Sequence, residues 1–308
     1  MFKKLIILFN KKNERAVYNQ YISLLQRLKA DMAKQGVAVL VNFVKENMDI
    51  EYDAGPEQVT MRKAVDPNST SDVKGDFLYI TDTPEHFDIL KLWGYYVVAI
   101  IHDYNKNVTF RNVSYLIEGL EGLEYNYLDK VYRRMSGIPW DILETERLYV
   151  RESTVKDVDD FYRIYKEPSI TYYMEDLFEQ PDMERIYMKN YIKRIYGFYE
   201  YGMWSVILKE TGEIVGRAGL SVRDGYDLPE LGFLIEVAQQ GKGLATEVCR
   251  AILDYARDEL QMDGVQALVC AANVPSLALL RGLGFIFREN VTEGGQEYQL
   301  WIKNLNGD

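Results

Sequence analysis

The 308-residue sequence predicts an α/β protein in two domains, residues 1–143 and 144–308, the first built on a parallel sheet. Three observations lead there. In the first half, short β-prone apolar runs alternate with stretches of helical apolar spacing, the pattern of a parallel sheet covered by helices. In the second half, a strand, a glycine loop, a helix, a strand and another helix follow one another between Glu230 and Leu283. A break at Ser136-Gly137-Ile138-Pro139-Trp140 separates halves of different charge. Residues 1–143 hold 18 basic against 19 acidic side chains, whereas residues 144–308 hold 18 against 28, so nearly all of the net −11 lies in the second half.

The first element is Met1–Phe9, MFKKLIILF. Its apolar run is too short for a signal peptide and Lys11 and Lys12 follow without a small-residue cleavage site, so it reads as a buried strand. Tyr18–Lys34 has helical spacing, and Val37–Phe43, Phe77–Thr81, Val97–Ile101 and Tyr115–Ile117 read as further strands, with a helix over Pro84–Trp93. The polar segment Glu51–Gly75 is expected to be a long loop. In the second half Arg147–Arg151 alternates like a strand, Thr154 and Asp157 are placed to open a helix, and helical patterns run to about Tyr201. Tyr187 and Tyr191 share one helix face there, either as ordinary packing or as a binding wall for an organic or cationic substrate. Strands follow at Trp204–Lys209, Ile214–Val222 and Glu230–Glu236. A helix is expected over Thr246–Leu260, a buried strand over Val265–Cys270 and a helix over Pro275–Leu283.

Composition excludes several classes. The acidic second half repels polyanions, so no nucleic-acid partner is expected, and it attracts a cation. No apolar run is long enough to cross a bilayer, so no membrane partner is expected either. Cys249 and Cys270 fit neither a disulfide framework nor a metal cluster; a reducing cytoplasm and no metal are expected.

The turn Gln240-Gly241-Lys242-Gly243-Leu244-Ala245 stands at a helix start, where unpaired N–H groups and the helix dipole favour an anion. It lacks the spacing of a Walker loop, and Thr246 stands where a dinucleotide loop needs its third glycine. It satisfies Gln/Arg-x-x-Gly-x-Gly/Ala through Gln240, Gly243 and Ala245. With Asn273–Phe285, NVPSLALLRGLGF, downstream and Glu144–Arg151, ETERLYVR, in front, residues 144–303 resemble the GNAT acetyltransferase superfamily, in its ribosomal-protein N-terminal acetyltransferase branch.

That resemblance implies a mixed, splayed central sheet flanked by helices, with acetyl-CoA as co-substrate. Ile235 and Val237 would meet pantetheine and thioester through main-chain groups. The amides around Gln240, Gly241, Lys242, Gly243, Leu244, Ala245 and Thr246 would hold the pyrophosphate, and Asn273 and Ser276 would contact the far side of the cofactor arm. Asn273 is equally suited to capping the helix before Pro275. The acceptor would be a primary amine of a small molecule, a polyamine or a peptide N-terminus. Glu230 is the first candidate for the base that takes the amine proton, with a structural role as the alternative. Many relatives carry a tyrosine seven residues after the asparagine to reprotonate the thiolate. Here that residue is Leu280, which leaves Ser276 or direct release to water. A catalytically weak CoA-binding sensor is the competing reading.

In the first half, Phe77–Glu85 and Lys91–Ile100 resemble the C-terminal strand-helix-strand of haloacid-dehalogenase-like phosphatases, with Asp82 at the position of a magnesium-binding acid. The nucleophilic Asp-x-Asp is absent: the first strand ends Phe9-Asn10-Lys11-Lys12. This implies a degenerate, non-catalytic α/β domain with a regulatory, docking or dimerising role, the last of which would make the protein a homo-oligomer.

Overall fold

The computed structural model describes residues 1–44 and 74–306, which fall into two units, Met1–Ile138 and Pro139–Asp308. Most of the polar segment 51–75 lies outside the described residues.

In the first unit β1 (Lys4–Asn10) is the second strand of a five-stranded sheet. It pairs in parallel with β2 (Ala38–Val44) on one side and β3 (Phe77–Thr81) on the other, and β4 (Tyr96–Ile101) and β5 (Leu116–Glu118) continue the sheet in parallel. The unbroken apolar run of β1 follows from this position, because a parallel strand covered on both faces has no solvent side. Helix α1 (Glu14–Lys34) lays Val17, Tyr21, Leu25, Leu28 and Met32 on one face. Helix α2 (Pro84–Leu92) starts with proline at its first turn and buries Phe87 and Leu90 in the cluster on the other face. Helix α3 (Tyr125–Ser136), for which the sequence reading has no counterpart, packs with α1 and stops at Gly137, whose φ of 73° is the left-handed cap such a stop needs.

The second unit is an eight-stranded mixed sheet. Strands β6 (Asp141–Glu144) and β7 (Leu148–Arg151) form a hairpin at one edge, so β6 spans the sequence-expected start at residue 144. Antiparallel β8 (Met203–Leu208), β9 (Ile214–Ser221) and β10 (Glu230–Ile235) follow. Then come β11 (Gly264–Cys270), parallel to β10, and the antiparallel hairpin of β12 (Ile286–Glu293) and β13 (Gln296–Asn304). Helices α4 (Val158–Tyr165) and α5 (Pro181–Tyr191, extended by a π-helical turn to Tyr196) bury Val158, Phe161, Ile164 and Met188 with Leu234. Helices α6 (Leu244–Asp258) and α7 (Val274–Gly282) pack with Leu231 and Ile235 into the larger cluster. The alternation of β10 thus sends 231 and 235 to one helical layer and 234 to the other.

One feature of this sheet positions the site. β10 pairs with β9 along its whole length, and β11 with β13 over seven positions, yet β10 and β11 share the single register pair Glu230↔Gln266. Beyond that pair they diverge.

Candidate active site

The diverging edge of β10 carries unpaired main chain. Glu236 donates its N–H to Val215 of β9 at 2.8 Å, so in the alternation of an antiparallel ladder the groups of Gly232 and Leu234 also face β9. Those of Leu231, Phe233 and Ile235 then face β11, Leu231 beside the Glu230↔Gln266 pair and Phe233 and Ile235 into the split. The acceptance by Pro229 of the Gln266 N–H at 2.9 Å marks the same side. The Ile235 carbonyl takes the Gln240 side-chain amide at 2.9 Å. Val237 sits two residues beyond the strand in a 3₁₀ turn, and its carbonyl receives the Gln240 N–H at 3.2 Å.

The glycine loop lies at the end of this split. Gly241 and Gly243 have φ of 74° and 80°, the left-handed region that disfavours side chains. Gly243 is the N-cap of α6 and offers no capping side chain; the first helical bond runs from Glu247 N–H to Gly243 O at 3.0 Å. The amides of Gly243, Leu244, Ala245 and Thr246 consequently donate to no described residue, which fits an anion at this helix start. Helix α6 begins at Leu244, two residues ahead of the sequence expectation, because the left-handed Gly243 itself supplies the cap. Lys242 is exposed and its Nζ lies 2.7 Å from Gln239 Oε1.

The sequence gives no sign of what braces this loop. Arg147, in the β6–β7 turn, donates Nη1 to Lys242 O at 2.9 Å and Nε to Glu247 Oε2 at 2.7 Å. The Arg147 N–H and the Thr145 hydroxyl hold the other Glu247 oxygen at 3.0 and 2.5 Å. Burial works to raise the Glu247 pKa, but these bonds outweigh it and hold the carboxyl below its ordinary 4.5. Glu247 is thus a charged, neutralised first-turn acid that shapes the loop without competing for an incoming anion.

Across the split, Asn273 caps α7, its Oδ1 accepting from Ser276 N at 3.3 Å. The capping reading of Asn273 therefore holds, and Asn273 and Ser276 are both half-buried. Leu280 is fully buried in the core, where a tyrosine hydroxyl would need a partner. Glu230 is engaged: its carboxylate accepts from Arg223 Nη1 at 2.8 Å, and Arg223 also bonds Glu293. Burial opposes the charge on Arg223, but Glu293 and Glu230 push its pKa well above the usual arginine range. Glu230 is thus one arm of an ion triad closed by β12. Cys249 is buried, which pushes its thiol pKa far up and leaves it chemically inert.

In the first unit the Asp82 carboxylate is enclosed. Oδ1 accepts from Asn10 N and Thr83 Oγ1, each at 2.8 Å, and Oδ2 lies 3.1 Å from His102 Nε2. Among the described residues no group of three or more His, Cys, Asp or Glu is placed to hold a metal ion, and no helix is long and apolar enough to cross a membrane.

A splayed sheet beside a glycine-loop helix is the architecture of the N-acetyltransferase class. A family profile for the acetyltransferase (GNAT) domain matches residues 147–286. The chain is 31% identical over 151 residues to the uncharacterized N-acetyltransferase p20 of Bacillus licheniformis, covering 47% of this chain and 82% of that protein. It is 24% identical over 159 residues to the uncharacterized N-acetyltransferase YnaD of Bacillus subtilis (strain 168), covering 50% and 90%. A GNAT-family acetyltransferase structure from Bacillus anthracis matches with a TM-score of 0.47 and 18% identity, over 54% of this chain and 99% of that one. The chain belongs to the GNAT acetyltransferase family and is an acyltransferase.

Proposed function

We propose that the second unit transfers acetyl from acetyl-CoA to a primary amine of a small molecule or peptide N-terminus by direct attack on the thioester. The observation that carries this reading is the coincidence of two unmet hydrogen-bonding surfaces along one line: the open edge of β10 and the bare amides of residues 243–246. An extended amide-bearing chain fits the first as an added strand would, and a pyrophosphate fits the second. In this assignment Ile235 and Val237 hold pantetheine and thioester, and residues 240–246 hold the pyrophosphate. Asn273 and Ser276 line the opposite wall. An N–H of the β10 edge polarises the thioester carbonyl.

The amine must lose a proton before or during attack. Glu230 is the proposed acceptor of that proton, directly or through water, with Arg223 fixing its carboxylate. Ser276 is proposed to orient or protonate the departing sulfur, since Leu280 has no proton to give.

The first unit is proposed to be a non-catalytic haloacid-dehalogenase-like module with a regulatory, docking or dimerising role. Asn10 at the end of β1 offers no nucleophile, and Asp82 has both oxygens taken up by internal partners, which supports that reading.

The test is release of free CoA from acetyl-CoA across a panel of amines and N-terminal peptides, beside a direct measurement of acetyl-CoA affinity. Turnover with at least one amine is expected. Tight acetyl-CoA binding without turnover on any acceptor would turn the reading towards a CoA sensor.

A further inference from the structure

Arg217, in the middle of β9, is 9% exposed. Its cross-strand neighbours are Ser205 on β8 and Leu234 on β10, so it faces the layer of α4 and α5. Its guanidinium carbon lies 4.6 Å from the Phe161 ring centroid. Its polar contact is one long hydrogen bond, Nη1 to Tyr165 Oη at 3.5 Å, and Nε has no partner among the described residues. No carboxylate among the described residues lies within ion-pair distance of it. The nearby tyrosines do not fill the gap: the Tyr191 hydroxyl accepts from Met203 N at 2.8 Å, and the Tyr196 hydroxyl bonds Met203 O and Ser153 N.

The same row of the sheet shows how this fold treats a structural arginine. Arg151, paired with Ser205 from the other side, meets Asp157 through both Nη atoms at 2.6 and 2.9 Å. Arg147, Arg163, Arg185, Arg223 and Arg257 also have carboxylate partners, and the remaining arginines of this unit are exposed. Arg217 alone among the described arginines of this unit is buried without a counter-charge. Cation–π contact offsets only part of that cost.

Its place is informative. Leu234, its partner on β10, directly precedes Ile235, and neighbouring strands lie about 4.8 Å apart. The backbone of Arg217 therefore lies one strand away from β10, whose far edge is assigned to the thioester, and its side chain rises from the sheet toward Phe161. Gly232, the next residue on that face of β10, is half-buried, and the flexible end of Met203 lies over it, its Sδ 3.0 Å from where a Cβ would stand. The rim carries Tyr187, 44% exposed. Its hydroxyl titrates higher than usual, chiefly through burial, with Arg217 opposing and Glu184 and Glu175 adding to the rise, so charges of both signs surround it.

We propose that Arg217 receives a carboxylate carried by the acceptor, so that the enzyme acetylates amines bearing a carboxylate a few bonds away, of the amino-acid type, in preference to polyamines. The proposal rests on the β10 edge being the transfer site. The carboxylate of such an acceptor supplies the missing counter-charge for Arg217, while its amine gives up a proton and attacks the thioester at the β10 edge.

The experiment compares CoA release by the full chain with three matched acceptors: an amino acid, its carboxamide and its decarboxylated amine. Wild type and Arg217→Gln are each assayed with acetyl-CoA. Wild type is expected to favour the carboxylate at least tenfold in kcat/KM, and this preference should collapse towards one in R217Q while acetyl-CoA affinity is retained. A preference that persists in R217Q, or equal losses on all three acceptors, overturns the proposal, the latter by making Arg217 structural. Use of succinyl-CoA over acetyl-CoA with an uncharged amine overturns it too, by placing the carboxylate on the donor. A second measurement is independent of turnover: the amino acid should raise the Tm of wild type but not of R217Q. Failure of that shift in wild type refutes the carboxylate site even where acetyl transfer is confirmed. Absence of turnover with the shift intact refutes the transfer reading alone.

Discussion

Substituting Gly243 separates a folding role of the glycine loop from a binding one. Its φ of 80° costs a residue with a Cβ about 1–2 kcal/mol of backbone strain. A Cβ there would meet the Arg147 Nη2 atom at 3.6 Å, an ordinary contact, and nothing nearer, so no internal clash adds to the strain. In the 170 residues of the second unit that strain lowers Tm by roughly 2–4 °C per kcal/mol. If strain were the whole effect, acetyl-CoA affinity would fall at most by the same energy, about 5–30-fold. A pyrophosphate resting on the bare amides of 243–246 would instead collide with the added carbon. Gly243→Val is therefore expected to lose acetyl-CoA binding well beyond that limit, measured by calorimetry. Gly243→Asn, a residue that tolerates left-handed backbone, is expected to recover Tm without recovering affinity. Full affinity in G243V beside a lowered Tm would refute the placement of the anion.

Three further outcomes follow from the geometry. Arg147→Ala frees the Lys242 carbonyl and bares the Glu247 carboxylate beside the anion site, so acetyl-CoA affinity should fall about tenfold or more; R147A/E247Q should recover part of it, and failure to do so assigns the loss to loop disorder alone. Asp157 has its pKa held below the ordinary 3.8: burial opposes this, but bonds from Arg151, Thr154 and Ser205 prevail. A depressed carboxyl stabilises above its unfolded value and loses that stabilisation as pH falls through the folded one, so Tm should drop from about pH 4 downward; D157N should show a lower and flatter profile, and an unchanged one would remove Asp157 from the acid response. Glu230→Gln should cut kcat by about 100-fold or more with acetyl-CoA affinity preserved, if the carboxylate takes the amine proton; a change in affinity alone would make it structural.

What the sequence disclosed and what it hid divide along physical lines. The glycine loop was legible because positive φ at a helix start demands glycine locally, and the Thr154–Asp157 capping box is present because its bonds span three residues. The long partnerships were not legible: Arg147–Glu247 joins residues 100 positions apart and Arg223–Glu293 residues 70 positions apart, and alternation carries no distance. Strand β12 escaped because it is exposed along nearly its whole length and shows no inward face, although Gly294-Gly295, with φ of 57° and 81°, marked a hairpin turn. Missing β12 also hid Glu293, and with it the triad that turns Glu230 from a free carboxylate into a fixed one. The net charge is equally blind to position: an acidic half suits a cationic acceptor, but a count of charges does not reveal Arg217, a lone buried cation on the strand next to β10.

The split between β10 and β11 yields the most direct test of how the co-substrate is held. β10 is bound closely to β9: a Cβ on Gly216 would lie 2.2 Å from the Leu234 carbonyl. β11 is committed to β13 from Gly264 to Cys270. Beyond the Glu230↔Gln266 pair the facing edges of the two strands do not meet, and the Phe233 main chain and the Ile235 N–H are left for water or a ligand. Binding of an amide-bearing chain along that edge should then slow hydrogen exchange at Phe233 and Ile235 and at residues 243–246. Gly232 and Leu234, already bonded to β9, should change little. Protection spread evenly over residues 231–235 would mean that binding tightens the whole strand, and protection confined to the loop would leave the donor held by its pyrophosphate alone. The alternating pattern is the signature of an added strand, and an exchange measurement with and without acetyl-CoA reads it residue by residue.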